Sequence, residues 1–152
     1  AKRQLDLLVS QIEDAKHKGA EVISGGHSLE EKLGGVYFEP TVLTGVTDEM
    51  RVLKEETFGP VLPILKFKTE QEAIALANQT DYGLGSYVFT KNKERVDRVA
   101  RLIEAGMVSV NGTDYLMPSN PFGGYKKSGF GREQGKYGFH EVTQIKIVAK
   151  NK

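Results

Sequence analysis

The sequence predicts an α/β protein with an open, mainly parallel sheet and helices on its faces. The 152 residues are 39% hydrophobic and 27% charged, which is typical of a folded globular protein. Strand and helix patterns alternate between residues 61 and 110, as in crossover units, which are right-handed and make their strands parallel. An amphipathic helix pattern precedes this region and a strand pattern follows it at residues 142–149. We therefore expect one α/β domain over residues 1–140, followed by a strand and tail over 141–152.

The first sixty residues predict a helix and then short extended segments. Residues 3–18 have an apolar stripe at helical spacing and are followed by Gly19, a residue that suits a left-handed cap. The stripe consists of Leu5, Leu8, Ile12 and Ala15. Residues 21–24 read as a strand, 27–35 as a loop, 37–46 as an edge-like extended segment around Pro40, and 47–50 as a helical turn.

The middle of the chain has the most regular pattern. Residues 61–67 form an apolar strand pattern, and Thr69 with Glu72 has the spacing of a capping box before the next helix. Residues 86–90 predict the following strand. Asn92 is then expected to cap a helix that Gly106 ends, before a third strand at 107–110. This order of elements predicts two successive crossover units.

The last forty residues begin with a long loop. The segment beyond Asn111-Gly112, to about Gly131, is rich in glycine and proline, and a loop of this length in a compact domain is normally functional or disordered. Residues 132–140 favour a short helix, and 142–149 alternate apolar and polar side chains as an exposed strand would.

Composition excludes several function classes. The net charge is +1 and the only basic cluster is short, so we expect no nucleic-acid partner. The chain has no cysteine, and its three histidines lack ligand spacing, so we expect no disulfide and no metal site. No apolar run approaches the length of a membrane span, and the first residues are charged rather than signal-like. We therefore expect a cytoplasmic protein with no membrane contact.

Two regions could carry chemistry. Glu56 precedes a Phe-Gly-Pro turn, where its carboxylate could accept hydrogen bonds from both hydroxyls of a ribose. From the residues alone, two solvated loop charges at Glu55 and Glu56 are the favoured interpretation. The apolar loop at 114–117, with Phe122 nearby, predicts either a small core under the loop or the wall of an apolar pocket. The glycines at 129–135 do not fit a dinucleotide or phosphate motif, because their spacing is wrong and they follow a loop.

Two motifs point to a known family. Residues 56–60 have the pattern Glu-x-Phe-Gly-Pro, and residues 121–133 have the pattern Pro-Phe-Gly-Gly-x-Lys-x-Ser-Gly-x-Gly-Arg-Glu. In this order they resemble the aldehyde dehydrogenase superfamily, and the resemblance extends over essentially the whole chain. It implies an enzyme that oxidises a small aldehyde with NAD or NADP, through attack by a cysteine thiolate and hydrolysis of a thioester.

The resemblance also implies roles for individual residues. The family's glutamate matching Glu56 holds the nicotinamide ribose, and the phenylalanine matching Phe58 packs near the nicotinamide ring. The glutamate matching Glu133 is implied in a proton relay. The aldehyde tunnel is implied to be lined by the residues that match Asp114, Tyr115, Leu116 and Phe122.

Subunit contacts are implied for Arg132 and for the terminal strand, so we expect a homo-oligomer. Gln144 replaces a glutamate that some relatives pair with this arginine, which places that ion pair in doubt. The family's nucleophilic cysteine, oxyanion asparagine, general-base glutamate and dinucleotide-binding domain precede the segment that this chain matches.

The resemblance therefore predicts the C-terminal part of such an enzyme, inactive by itself and not binding NAD or NADP alone. An alternative is a non-catalytic interaction module that adds its terminal strand to a partner sheet. An autonomous nucleotide-binding protein is a third interpretation. We disfavour it because a ribose contact alone reaches only one part of the cofactor.

Overall fold

The computed structural model describes residues 1–113 and 116–151. They form two compact units, Ala1–Thr69 and Glu70–Lys152, which are described separately below. None of the helices in the described residues has the length and hydropathy needed to cross a lipid bilayer.

The first unit packs one long helix against a three-stranded mixed sheet. Strand β2 is central: it pairs antiparallel with β1, with Glu21 opposite Thr44, and parallel with β3, with Thr41 opposite Val61. The elements in chain order are α1 (Lys2–His17), β1 (Glu21–Ser24), α2 (Glu30–Leu33), β2 (Thr41–Thr44), α3 (Arg51–Lys54) and β3 (Val61–Pro63).

A hydrophobic core forms between α1 and the sheet. The predicted stripe of α1 is buried throughout, which confirms the helical pattern. Burying these side chains removes apolar surface from water, at about 25 cal/mol for each Å². The buried hydrophobic residues of this core are Leu5, Leu8, Ile12, Ala15, Phe38, Leu43, Val46, Met50 and Val52.

In its described residues, the second unit contains two small ladders and three helices. Strands β5 and β6 pair parallel, with Gly85 opposite Met107, and α5 connects them. Strands β4 and β7 pair antiparallel, with Tyr82 opposite Lys126. The elements are α4 (Glu70–Asn78), β4 (Tyr82–Gly83), β5 (Gly85–Val88), α5 (Lys93–Leu102), β6 (Met107–Val110), β7 (Tyr125–Lys126) and α6 (Gly135–Glu141).

The second unit buries few side chains. Neither α4 nor α5 has a buried residue. Among the described residues of this unit, burial is confined to Met107, Ser109 and Gly124. Polar contacts hold its helices instead. Asn78 is the last residue of α4. Its side chain accepts a hydrogen bond from the Glu104 amide at 2.8 Å and donates one to the Leu102 carbonyl at 2.7 Å.

The α/β class is confirmed, and so is the second crossover unit, β5-α5-β6. Asn92 caps α5 as predicted, since its side chain accepts a hydrogen bond from the Arg95 amide at 2.9 Å. The first predicted crossover, from β3 through α4 to β5, is not observed, because β3 and β5 belong to different sheets. The three-stranded sheet is mixed, whereas β5-β6 is parallel and β4-β7 antiparallel.

One of the predicted turns is present. At 47–50 the Met50 amide donates to the Thr47 carbonyl at 3.1 Å, and the short helix α3 follows at Arg51, whose amide donates to Asp14 of α1 at 2.9 Å. Two local predictions need correction. The loop at 27–35 contains the short helix α2, whose Glu30 amide donates to the Ser28 hydroxyl. Residues 143–151 lie in no strand, since no neighbouring strand within the described residues supplies the hydrogen bonds that a strand needs.

Candidate functional site

Glu56 and Phe58 lie on the loop of residues 55–60, which joins α3 to β3 in the first unit. Both side chains are exposed, and the Phe58 ring is 78% exposed. Phe58 has φ 42°, a left-handed conformation that is strained for a bulky residue. Within the described residues, the Glu56 carboxylate accepts no hydrogen bond and forms no ion pair. The loop thus presents a free carboxylate and an aromatic ring to solvent.

Alternate residues of the 55–60 loop are held by α1. Gln4 donates a hydrogen bond from Nε2 to the Thr57 carbonyl. Leu8 lies against Gly59 so closely that a Cβ atom on Gly59 would stand 2.5 Å from Leu8 Cδ2. Residues 57 and 59 thus contact α1, whereas the side chains of Glu56 and Phe58, which the family motif singled out, are exposed.

Glu55 is also held, and differs sharply from its neighbour Glu56. Its carboxylate receives two hydrogen bonds from Arg51, Nε to Oε1 at 2.7 Å and Nη2 to Oε2 at 2.9 Å. Gln11 donates a third from Nε2 at 3.3 Å. The Arg51 guanidinium keeps the pKa of Glu55 below its ordinary value, and the Gln11 amide acts in the same direction. Of the two adjacent glutamates, one is structural and the other is available to a ligand.

In the second unit, the loop of residues 121–133 brings Phe122 and Glu133 together. Their backbones form an antiparallel bridge: the Phe122 amide donates to the Glu133 carbonyl at 2.8 Å, and the Glu133 amide donates to the Phe122 carbonyl at 2.7 Å. Phe122 is half-buried and Glu133 is exposed. The predicted pocket residue and the predicted relay residue are therefore cross-strand neighbours.

The other predicted tunnel residues lie in the segment that precedes this loop. Leu116 is exposed. Asp114 and Tyr115 lie outside the described residues. Their assignment to the aldehyde tunnel stays a prediction.

Lys126 anchors the 121–133 loop to the rest of the second unit. Its ammonium donates to the Asn78 carbonyl at 2.6 Å and to the Thr80 carbonyl at 3.0 Å, and it pairs with a Glu104 carboxylate oxygen at 2.6 Å. The Ser128 hydroxyl accepts a hydrogen bond from the Gly83 amide at 2.9 Å. These contacts cross from the loop to the ends of α4 and α5.

The segment before β6 lies very close to the 121–133 loop at Gly106. A Cβ atom on Gly106 would stand 1.8 Å from the Gly123 carbonyl oxygen, so no other residue fits there without moving the backbone. Gly106 therefore allows the segment before β6 to lie directly against the loop.

Arg132 stabilises the 121–133 loop through contacts with other residues of the same loop. Its Nη1 donates to the Gly124 carbonyl at 3.1 Å and to the Gly131 carbonyl, and its guanidinium lies 5.5 Å from the centre of the Tyr125 ring. The family resemblance places this arginine at a subunit contact. In this structure the guanidinium contacts residues of its own loop.

An open cavity of about 700 Å³ lies beside the loop in the second unit. Its lysines are already engaged, Lys126 as above and Lys127 by an ion pair with Asp81. Of the predicted pocket residues that the structure describes, neither Leu116 nor Phe122 lines it. The lining consists of Asn78, Gln79, Thr80, Asp81, Lys126, Lys127 and Phe130. Among the described residues, no group of three or more histidine, aspartate or glutamate side chains could hold a metal ion.

Sequence reasoning missed the residues that support the loops. Gln11 had a visible signal, because it is a polar residue that falls three positions after Leu8 and next to Ile12, inside the apolar stripe of α1. Arg51 and Glu55 also had a signal, the i, i+4 spacing of a helical ion pair. The Lys126 contacts had none, since they join segments that are distant in sequence.

Comparisons with known proteins all identify the same family. Residues 1–148 match the family model described as "Aldehyde dehydrogenase family". Retinaldehyde dehydrogenase 3 of Homo sapiens is 47% identical over 146 residues, which are 96% of this chain and 28% of that protein. The chloroplastic betaine aldehyde dehydrogenase of Atriplex hortensis is 45% identical over 148 residues, or 97% of this chain and 30% of that protein.

Solved structures agree. An NAD-dependent aldehyde dehydrogenase from Sinorhizobium meliloti has a TM-score of 0.90 and 42% identity, covering 96% of this chain and 29% of that chain. An indole-3-acetaldehyde dehydrogenase in complex with NAD+ has a TM-score of 0.89 and 41% identity, covering 95% and 29%. The chain spans less than a third of the length of these relatives.

Proposed function

Because the chain belongs to the aldehyde dehydrogenase family, we propose that it is the C-terminal portion of an NAD(P)-dependent enzyme that oxidises an aldehyde to a carboxylic acid. The similar proteins above are named as aldehyde dehydrogenases, and one of them was crystallised with NAD+. Since the 152 residues contain no cysteine, the proposal assigns the nucleophilic thiolate to polypeptide outside them.

The observation that carries this proposal is the contrast within the 55–60 loop. Glu55 is tied to Arg51 and Gln11, whereas Glu56 beside it has no partner within the described residues. A carboxylate accepts hydrogen bonds only, so it suits the paired hydroxyls of a ribose. Phe58 adds a flat apolar face two residues away, held at a strained φ. These properties fit the ribose and nicotinamide ring of NAD or NADP.

A bound nicotinamide cofactor would accept the hydride from the substrate. The chain's own contribution is positioning. Glu56 would fix the ribose by hydrogen bonds, and Phe58 would limit the movement of the ring by packing. Holding the reacting atoms in a narrow range of positions can contribute several kcal/mol to lowering a barrier.

On the aldehyde side we assign Phe122, Leu116, Asp114 and Tyr115 to the substrate tunnel. The support is the position of Phe122, which is half-buried on a loop that Lys126 and Arg132 fix. An apolar side chain on a rigid loop can select substrates by shape. Glu133, paired with Phe122 through the backbone, is placed in the proton relay by the same proposal.

Two measurements test the function. The 152-residue chain, verified free of longer enzyme, should reduce neither NAD+ nor NADP+ when aldehydes are added. The full-length enzyme should oxidise aldehydes. Glu56→Gln should raise its KM for the cofactor about tenfold or more, because the change removes the negative charge and replaces one of the two acceptor oxygens with a donating amide group. Aldehyde-dependent reduction of NAD+ by the chain alone would contradict the proposal.

A non-catalytic interaction module is the second candidate, favoured by the exposed tail. Ile145 and Ile147 are 91% and 89% exposed, and such side chains are normally covered. Under this candidate the tail pairs with a partner sheet, and a full-length protein carrying the chain would have no dehydrogenase activity. Activity of the full-length protein therefore separates the two candidates.

A further inference from the structure

Gln11 is a buried amide inside the apolar stripe of α1. It is 1% exposed and lies among Leu8, Ile12 and Ala15, all buried. Its Oε1 has no hydrogen-bond partner within the described residues. An unpaired buried carbonyl destabilises a fold, and methionine, of similar size, would avoid that cost. Packing alone therefore does not explain why an amide occupies this position.

The other end of the amide provides an explanation. Gln11 Nε2 donates to Glu55 Oε2, the same oxygen that receives Arg51 Nη2. Arg51 is itself tied to α1, through its amide to Asp14 and through its guanidinium to the Ser10 hydroxyl. The Glu55 carboxylate is thus fixed to α1 by two routes.

The backbone of Glu55 determines how the chain leaves α3. Its amide donates to the Arg51 carbonyl at 2.8 Å, and its φ and ψ of −100° and 148° turn the chain out of the helix. Glu56 is the next residue. Because one peptide unit separates the fixed side chain from Glu56, a change in Glu55 is transmitted directly to the Glu56 carboxylate.

We propose that Gln11 is a positioning residue, which acts through Glu55 to fix the Glu56 carboxylate in the direction that binds the cofactor ribose. The inference deepens the proposed function and rests on it. Gln11 does not touch the cofactor in this account. Its amide stabilises one orientation of the loop at a cost to the stability of the helix face.

The test uses Gln11→Met in the full-length enzyme. Methionine keeps the volume and removes the amide, so the melting temperature should stay the same or rise. The KM for NAD+ should rise about three- to tenfold, since a small displacement of a positioned group weakens binding, while the KM for the aldehyde stays unchanged. Gln71→Met, on the exposed face of α4, is the matched control and should change neither KM.

A second variant keeps the test decisive if Gln11→Met folds poorly. Glu55→Gln changes a half-exposed side chain and weakens both the Arg51 and Gln11 hydrogen bonds without emptying the core. It should give the same selective rise in the KM for NAD+.

Two results would overturn the inference. One is a KM for NAD+ within twofold of wild type in both variants. The other is a fall in melting temperature with no difference between the effects on the two KM values.

Glu56→Gln, measured alongside, separates failure of the proposed function from failure of the role of Gln11. If Glu56→Gln leaves the KM for NAD+ unchanged, the proposed ribose contact itself is wrong. If only Glu56→Gln raises the KM, the proposed function stands and the role of Gln11 is wrong.

Discussion

Phe122 and Glu133 exchange both of their backbone hydrogen bonds, at 2.8 and 2.7 Å, across the 121–133 loop. Since these bonds involve no side-chain atom, either side chain can be replaced without breaking the bridge. Side-chain function and loop structure can therefore be tested separately here.

Phe122→Ala should raise the KM for bulky apolar aldehydes about tenfold in the full-length enzyme, because an aromatic side chain contributes about 1.5–3 kcal/mol when buried against a ligand. The KM for NAD+ should not change. Steady-state kinetics with a short and a long aldehyde measures the effect. Equal KM changes for both aldehydes would argue against a tunnel position.

Lys126→Met should lower the free energy of unfolding by about 1–3 kcal/mol, since two backbone carbonyls and a carboxylate lose a charged donor. Lys127→Met is the matched control. Within the described residues its ammonium pairs with the exposed Asp81 side chain, and solvent screens an exposed pair of this kind so strongly that its contribution to stability is small. Chemical denaturation compares the two variants. A control as unstable as Lys126→Met would refute the anchoring role.

Acid should weaken the link between α4 and α5. Hydrogen bonds from Arg98 and then Arg95 lower the pKa of Glu70 from 4.5 to about 2. Because the folded-state pKa is depressed, this contribution to stability is present above pH 4.5 and is lost as the pH falls towards 2. Glu70→Gln should thus lower the melting temperature modestly at pH 7, and the difference from wild type should shrink between pH 4.5 and 2. Exposed Glu31→Gln serves as the control, and a difference independent of pH would contradict the prediction.

Replacing both Ile145 and Ile147 with aspartate should shift the full-length protein towards smaller assemblies, as measured by light scattering. Alternating side chains of a strand share one face, so both isoleucines would meet the same partner surface. The variant should leave the melting temperature of the 152-residue chain unchanged, because both side chains are exposed in it. Lys146→Asp, on the opposite face and with the same change in net charge as the double variant, is the control. An unchanged assembly state in the double variant would count against a subunit contact here.

Local sequence signals predicted the elements that depend on local physics. The stripe of α1 placed that helix within one residue at each end, and Asn92 identified the start of α5. Elements that depend on a distant partner were less predictable. The start of α3 is set by Asp14, 37 residues away. Residues 142–149 have the alternation of a strand, but the part of the chain that the structure describes offers them no strand to pair with.

The site shows the same division. The family motif singled out Glu56 and Phe58 as candidates, and the structure shows what holds their loop: α1 contacts residues 55, 57 and 59. Nothing in the spacing of the sequence predicts that Gln4 and Leu8 face this loop, because the contact joins segments about fifty residues apart. The residue types of a candidate site can thus be predicted from sequence more easily than the residues that hold them in place.

The scarcity of buried side chains in Glu70–Lys152, where α4 and α5 have none, has a consequence for how the protein opens. Backbone amides of α4 and α5 should exchange with deuterated solvent well before those of α1, whose apolar stripe is enclosed. A protease added at low concentration should accordingly cut the second half of the chain first and leave a resistant piece that ends near Thr69.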